Sequence, residues 1–198
     1  SDGYLKEVRK ICDEKGLLLI LDEVQTGIGR TGTLFAYEQF GVEPDIMTLA
    51  KGLGGGVPIG AMLAKEGVAE SFVPGTHAST FGGNPLVTYT AIATIEKILE
   101  DGILLEECKE KGEYFIKRLK DLEREHSNIV VDVRGLGLMV GIEISRDCAP
   151  IVEDALKKGL LINCTAGNTL RFTPPLIISK GEIDILIDFL DDTFGRLV

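Results

Sequence analysis

Histidine and paired cysteine are scarce in this chain, and their scarcity removes whole classes of chemistry. Two histidines, His77 and His126, and four cysteines, Cys12, Cys108, Cys148 and Cys164, are spread over 198 residues with no CxxC spacing. No Cys/His zinc ligand set is expected, and free thiols in a reducing compartment fit better than disulfides. The GxxxxGK[ST] order of a P-loop does not occur. No apolar run approaches the roughly 18 residues of a membrane span and no signal-peptide pattern opens the chain, so a cytoplasmic protein with no membrane partner is expected. Lys and Arg number 21 against 31 Asp and Glu, a net charge of −10. The basic residues are dispersed, which argues against a general nucleic-acid surface, since phosphates are neutralised by clustered cations. No internal repeat is visible, and the chain opens on Ser1 rather than methionine, so it is expected to begin within a longer protein.

What is present is a globular composition: 44% apolar residues and 24 glycines. A chain of this length buries roughly 70% of its unfolded surface, so stability demands neither metal nor disulfide. The glycines cluster between apolar runs, as turns and close backbone approaches do.

Residues 1–100 read as helix, strand, glycine-rich turn, short helix, strand, glycine-rich turn, strand. Leu5, Val8, Ile11 and Cys12 lie at helical spacing, with Ser1 or Asp2 placed as a cap. Leu17–Leu21, Ile46–Ala50 and Gly60–Ala64 are apolar without alternation, as strands covered on both faces of a largely parallel α/β sheet would be. From Asn84 the period becomes helical, with Leu86, Val87, Ala91, Ile95 and Ile98 on one face and Gly102 as terminator. A second amphipathic helix carries Cys108, Gly112, Phe115, Leu119 and Leu122 inward and a solvated Glu/Lys face outward. Strands at 129–133, 138–144, 160–163 and 169–173 and helices near 151–158 and 180–194 complete an α+β domain expected to occupy 101–198.

The most informative pair is Asp22, ending the first apolar run, and Lys51, ending the second. Ligands of open α/β sheets bind beyond the carboxyl ends of the strands, so an acid and an amine delivered there suggest a site. Such a pair is what pyridoxal 5′-phosphate requires: the amine condenses with the aldehyde, and the carboxylate keeps the pyridine nitrogen protonated. Taken singly, a lysine after a strand is a solvated loop residue and an aspartate there a turn residue.

Gly27-Ile28-Gly29-Arg30-Thr31-Gly32 matches GxGxxG after a strand, which raises a dinucleotide-binding oxidoreductase as rival. That motif needs its glycines at the strand end and a long helix directly after them; here Asp22–Thr26 intervene, and Leu34–Phe40 allows about two turns. These glycines read better as a tight loop. Gly52–Gly56, beside Lys51, could admit a bulky cofactor or simply turn the chain.

Leu21–Gly32 and Pro44–Leu53 together resemble the cofactor signature of the class III (omega-type) aminotransferases, and His77–Leu86 and Leu170–Leu176 extend the match toward members that act on N-acetylornithine. The resemblance covers essentially the whole chain. It implies a fold-type-I pyridoxal-phosphate transferase, with part of the large domain in 1–100 and the small carboxyl-terminal domain in 101–198. Lys51 would bind the cofactor and shuttle the proton, Asp22 would pair with the ring nitrogen, Val24 would cover one ring face, and Gln25 would meet the ring hydroxyl. Thr80, with Ser79 as a weaker candidate, would reach the cofactor phosphate of the neighbouring subunit in a homodimer. Arg171 would bind the α-carboxylate of glutamate and 2-oxoglutarate, to which a planar fork is suited. Glu23 points away from Asp22 and reads as structural, His77 as a residue ordering the Thr80 loop, and His126 as exposed. The resemblance also places before Ser1 a phosphate loop, a ring-stacking aromatic and a further arginine, so activity of this chain alone is not expected. An inert module that only pairs with the remainder stays as the other alternative.

Overall fold

A computed structural model describes residues 3–197. The chain divides into two units, 1–105 and 106–198.

The first unit opens with α1 (Tyr4–Lys15), whose face carrying Leu5, Val8 and the buried Cys12 meets Leu19 and Val42. Gly3 occupies the N-cap position; Ser1 and Asp2, expected there, lie outside the described residues. Gly16, at φ 64°, ends the helix in the left-handed turn that glycine adopts at least cost. The chain then forms β1 (Ile20–Asp22), β2 (Ile46–Leu49) and β3 (Ala61–Ala64), in spatial order β1-β2-β3. β1 runs parallel to β2 with Asp22 opposite Thr48, and β3 is antiparallel to β2. The sheet is therefore mixed, and it is not covered on both faces: Leu17, Leu18 and Ile20 are exposed, Ile20 by 57%. In this chain β1 lies at the edge of the three-stranded sheet, and the buried cluster of Met47, Leu49, Leu53, Ala91 and Ile98 gathers around β2 and the helix after it. That helix, α3 (Pro85–Leu99), follows the short α2 (Glu66–Ala69) and is capped by Asn84, whose side chain accepts from the Val87 amide.

Asp45 locks the entry to β2. Its Oδ2 accepts from the Leu19 amide at 2.8 Å and from Arg9 Nη1 at 2.7 Å, and Lys65 lies 3.4 Å from Oδ1. The Leu19 amide first, and the Arg9 guanidinium next, hold this carboxyl down from 3.8 to about 2. A depressed folded-state value stabilises the fold above the ordinary pKa and loses that contribution as pH falls through the folded one. Asp45→Asn should therefore lower the melting temperature at pH 7, and the gap to wild type should close between pH 4 and about 2 in thermal melts across that range.

The second unit is a four-stranded antiparallel sheet, order β4-β5-β7-β6, formed by β4 (Val130–Leu136), β5 (Met139–Ile144), β6 (Asn163–Thr165) and β7 (Thr169–Phe172). With α4 (Ile103–Glu125), α5 (Ala149–Lys157) and α6 (Lys180–Gly195) it shares a core that includes Phe115, Leu119, Ile142, Leu170, Leu190 and Phe194. Gly112 of α4 meets the β4–β5 turn so closely that a Cβ there would sit 2.3 Å from the Gly137 carbonyl oxygen. Ser179 and Glu182 form a reciprocal capping box at α6. β6 starts later than expected, because Leu160 still donates to the Ala155 carbonyl and so closes α5.

Two expectations are corrected here. Cys148 and Cys164 form a disulfide, with Cα atoms 5.6 Å apart, whereas Cys12 and Cys108 are buried and take no part in a disulfide. Sixteen residues separate the pair in sequence, but the start of α5 and the edge strand β6 are brought side by side. His126 is not an exposed residue: its side chain is 12% accessible, Nε2 lies 2.6 Å from Asp191 Oδ1, and its ring meets Phe194 edge-on. Among the described residues no helix is long and apolar enough to cross a membrane.

Candidate active site

β1 and β2 are parallel neighbours, so they end at the same sheet edge, and Lys51 lies three residues beyond Thr48, the register partner of Asp22. The carboxylate of Asp22 is fixed rather than loose. Its Oδ1 accepts from the Val24 amide at 2.9 Å and from the Thr48 hydroxyl at 3.2 Å. Thr48 escaped the sequence reading; its only signal there is a hydroxyl inside an otherwise apolar run.

Lys51 opens a turn of 3₁₀ helix, Lys51–Gly54, and carries a positive φ of 46°. An L-residue in the left-handed region costs about 1–2 kcal/mol, and such strain persists only where the surroundings enforce it. Here Leu53 and Gly54 of the same turn are buried, Leu53 clusters with Ala91 and Ile98 of α3, and Gly55 has no space for a Cβ, which would lie 2.7 Å from Thr94 Oγ1. The lysine itself stays exposed and lines a cleft of about 830 Å3 with Pro58, Ile59, His77, Ser79 and Phe81.

The other expected residues are placed as follows. Val24, half-buried, and Gln25, exposed, form the turn leaving β1. Ser79 is in the cleft, and its hydroxyl accepts from the Gly82 amide. Thr80 is exposed and is not among the cleft-lining residues. His77 lines the cleft and meets Phe72 edge-on. Arg171, half-buried on β7, pairs in register with Gly141 of β5 and Asn163 of β6, and belongs to the second unit.

Glu23 is 3% exposed and bonded on both oxygens: Oε1 accepts from the Tyr37 amide at 2.9 Å, and Oε2 from the Ala36 amide at 3.1 Å and from the Thr26 hydroxyl. The GxGxxG stretch consists of turns that lead into a five-residue 3₁₀ turn, Ala36–Phe40, so it offers no long helix whose N-terminus could meet a pyrophosphate.

An accessible primary amine beside a cleft, and a carboxylate oriented at the adjoining strand end, form a donor set that fits pyridoxal 5′-phosphate. The amine can condense with an aldehyde, and the carboxylate can accept from a protonated ring nitrogen. The phosphate partners available in this cleft are few, with Ser79 the hydroxyl that lines it.

Comparison with known proteins identifies a family. The model of the class-III aminotransferase family matches residues 1–194. The acetylornithine aminotransferase of Caldanaerobacter subterraneus subsp. tengcongensis is 57% identical over 195 residues, 98% of this chain and 49% of that protein. Among solved structures, an ornithine aminotransferase from Plasmodium yoelii superposes with a TM-score of 0.92 at 36% identity, covering 100% of this chain and 53% of its own. The acetylornithine aminotransferase from Elizabethkingia anophelis gives 0.89 at 36%, covering 99% and 50%. The chain spans about half the length of the curated relatives it matches.

Proposed function

The chain belongs to the class-III aminotransferase family, whose members depend on pyridoxal 5′-phosphate, and from that premise we propose that, completed to the length of its relatives, it transfers the terminal amino group of N-acetylornithine to 2-oxoglutarate. The observation that supports this most directly is the pairing of Asp22 with Thr48, three residues before Lys51, at one sheet edge. Residues 1–100 then serve as part of the large cofactor-binding domain and 101–198 as the small domain. The bound cofactor supplies an electron sink that stabilises negative charge on the carbon losing its proton.

This chain's residues divide the work. Asp22 holds the proton on the ring nitrogen, and its own bonds to the Val24 amide and Thr48 hydroxyl keep it aimed. Lys51 would move a proton from the donor carbon that bears the amine to the cofactor C4′, and in the second half of a ping-pong cycle from C4′ to the acceptor carbon. Val24 would cover a ring face, and Gln25 would meet the ring hydroxyl. Arg171 binds the α-carboxylate of glutamate and 2-oxoglutarate. Thr80, with Ser79 as the weaker candidate, serves the phosphate in a neighbouring subunit of a homodimer; exposure of Thr80 outside the cleft of its own chain is compatible with that role. The enzyme works in the cytoplasm, in arginine biosynthesis.

A second reading, with ornithine as donor, draws on the likeness to ornithine aminotransferase structures. The two are separated by assaying the completed enzyme with 2-oxoglutarate and N-acetylornithine, ornithine, succinyldiaminopimelate or 4-aminobutyrate. We expect kcat/KM for N-acetylornithine to lead by about tenfold or more, a difference of about 1.4 kcal/mol in transition-state binding. A larger value for ornithine would replace the donor, and no transamination with any of the four would remove the activity itself.

A further inference from the structure

Glu23 is an ionisable side chain withdrawn from solvent, on the face of the strand end opposite Asp22, and the mechanism above does not use it. Its main chain is tied twice: the amide donates to the Thr48 carbonyl at 3.0 Å, and the carbonyl accepts from the Gly27 amide at 2.9 Å. Its carboxylate gathers three donors from the segment that follows, the Thr26 hydroxyl and the Ala36 and Tyr37 amides. An ionised carboxylate only accepts, so three converging donors match it and would not match an amide or an apolar side chain. The turn closes tightly around it, since a Cβ on Gly27 would lie 2.9 Å from the Glu23 carbonyl oxygen and 3.2 Å from Leu49 Cδ2.

We infer that Glu23 is a positioning residue for the cofactor site, the buried post that fixes the turn Asp22–Gln25 from behind. Asp22 is aimed in part by the Val24 amide, and the path of Val24 and Gln25 is set by where the loop from Thr26 to Tyr37 is anchored. Glu23 provides that anchor. It touches neither ring nor substrate in this scheme and acts through Asp22, Val24 and Gln25. The inference rests on the aminotransferase reading.

The test uses the completed enzyme and the variants Glu23→Gln and Thr26→Val. Glutamine keeps the volume but turns one oxygen into a donor that faces a donor; valine removes only the hydroxyl. At a temperature where circular dichroism shows each variant folded, Glu23→Gln should lower kcat by about 30-fold with KM for the amino donor within about twofold, because a lost charge-assisted bond misaims Asp22. The dissociation constant for pyridoxal 5′-phosphate should rise about tenfold, and amide exchange across residues 24–37 of the cofactor-free enzyme should speed up by at least as much. Thr26→Val should shift the same three quantities in the same direction by about threefold. If exchange quickens or the melting temperature falls while cofactor affinity and kcat stay within about twofold of wild type, Glu23 is only a structural anchor and the inference fails. If Glu23→Gln does not fold, Thr26→Val decides by the same measurements. Failure of the aminotransferase reading is seen separately, as no transamination by the wild-type completed enzyme with any of the four donors.

Discussion

Lys51→Ala is expected to abolish transamination in the completed enzyme, lowering turnover by about 10⁴-fold or more, the scale of losing a group that is both nucleophile and proton carrier. The fold should survive, since Lys51 is exposed and the turn it opens is held by Leu53 and Gly54 beneath it. The decisive companion is Lys51→Gly. The lysine sits at φ 46°, a region that glycine enters without steric cost, so this variant should be as inactive as the alanine variant yet at least as stable as wild type, by up to about 1 kcal/mol. Activity and stability would then move in opposite directions at one position, as expected where backbone strain serves a site. Single-turnover assays and denaturant unfolding of both variants check this. Residual turnover within about tenfold of wild type would show that another amine carries the proton.

Asp22 and Lys51 were legible in the sequence because each closes an apolar run, and strand ends are where sites of α/β sheets lie. That they share an edge was not legible, since it depends on β1 lying parallel beside β2 with Asp22 opposite Thr48. Likewise, Thr48 gains meaning only once strand register puts its hydroxyl on Asp22. Glu23 was placed correctly on the face away from Asp22 by strand alternation, but its three donors lie 3 to 14 residues onward and follow no period. The errors have the same root. His126 looked exposed at the end of a charged helix, until α6 returned Asp191 and Phe194 to it. The Cys148–Cys164 bond joins residues whose spacing matches no motif. Local period reads elements well; register and long-range return decide how they meet.

Asp22→Asn should reduce turnover by about 100-fold or more while the cofactor still binds, with affinity weakened by about tenfold. Asparagine retains an oxygen able to accept from both the Val24 amide and the Thr48 hydroxyl, so the geometry of the turn is kept while the charge is lost. The amide would also put a donor in place of the second carboxylate oxygen, so a protonated ring nitrogen would lose its acceptor and meet a like dipole. Turnover suffers more than binding because only a ring kept protonated by the carboxylate would draw in the negative charge that develops on the reacting carbon, whereas the resting complex would use the carboxylate as one contact among several. Thr48→Val tests the tether without touching the charge: it removes one of the two bonds to Oδ1, and a loss of about threefold to fivefold is expected. Fluorescence titration of the cofactor beside steady-state kinetics separates the two effects. Equal losses in affinity and kcat for Asp22→Asn would mean that the carboxylate only holds the cofactor, and a loss in Thr48→Val as large as that in Asp22→Asn would mean that aim, rather than charge, is what the strand end supplies.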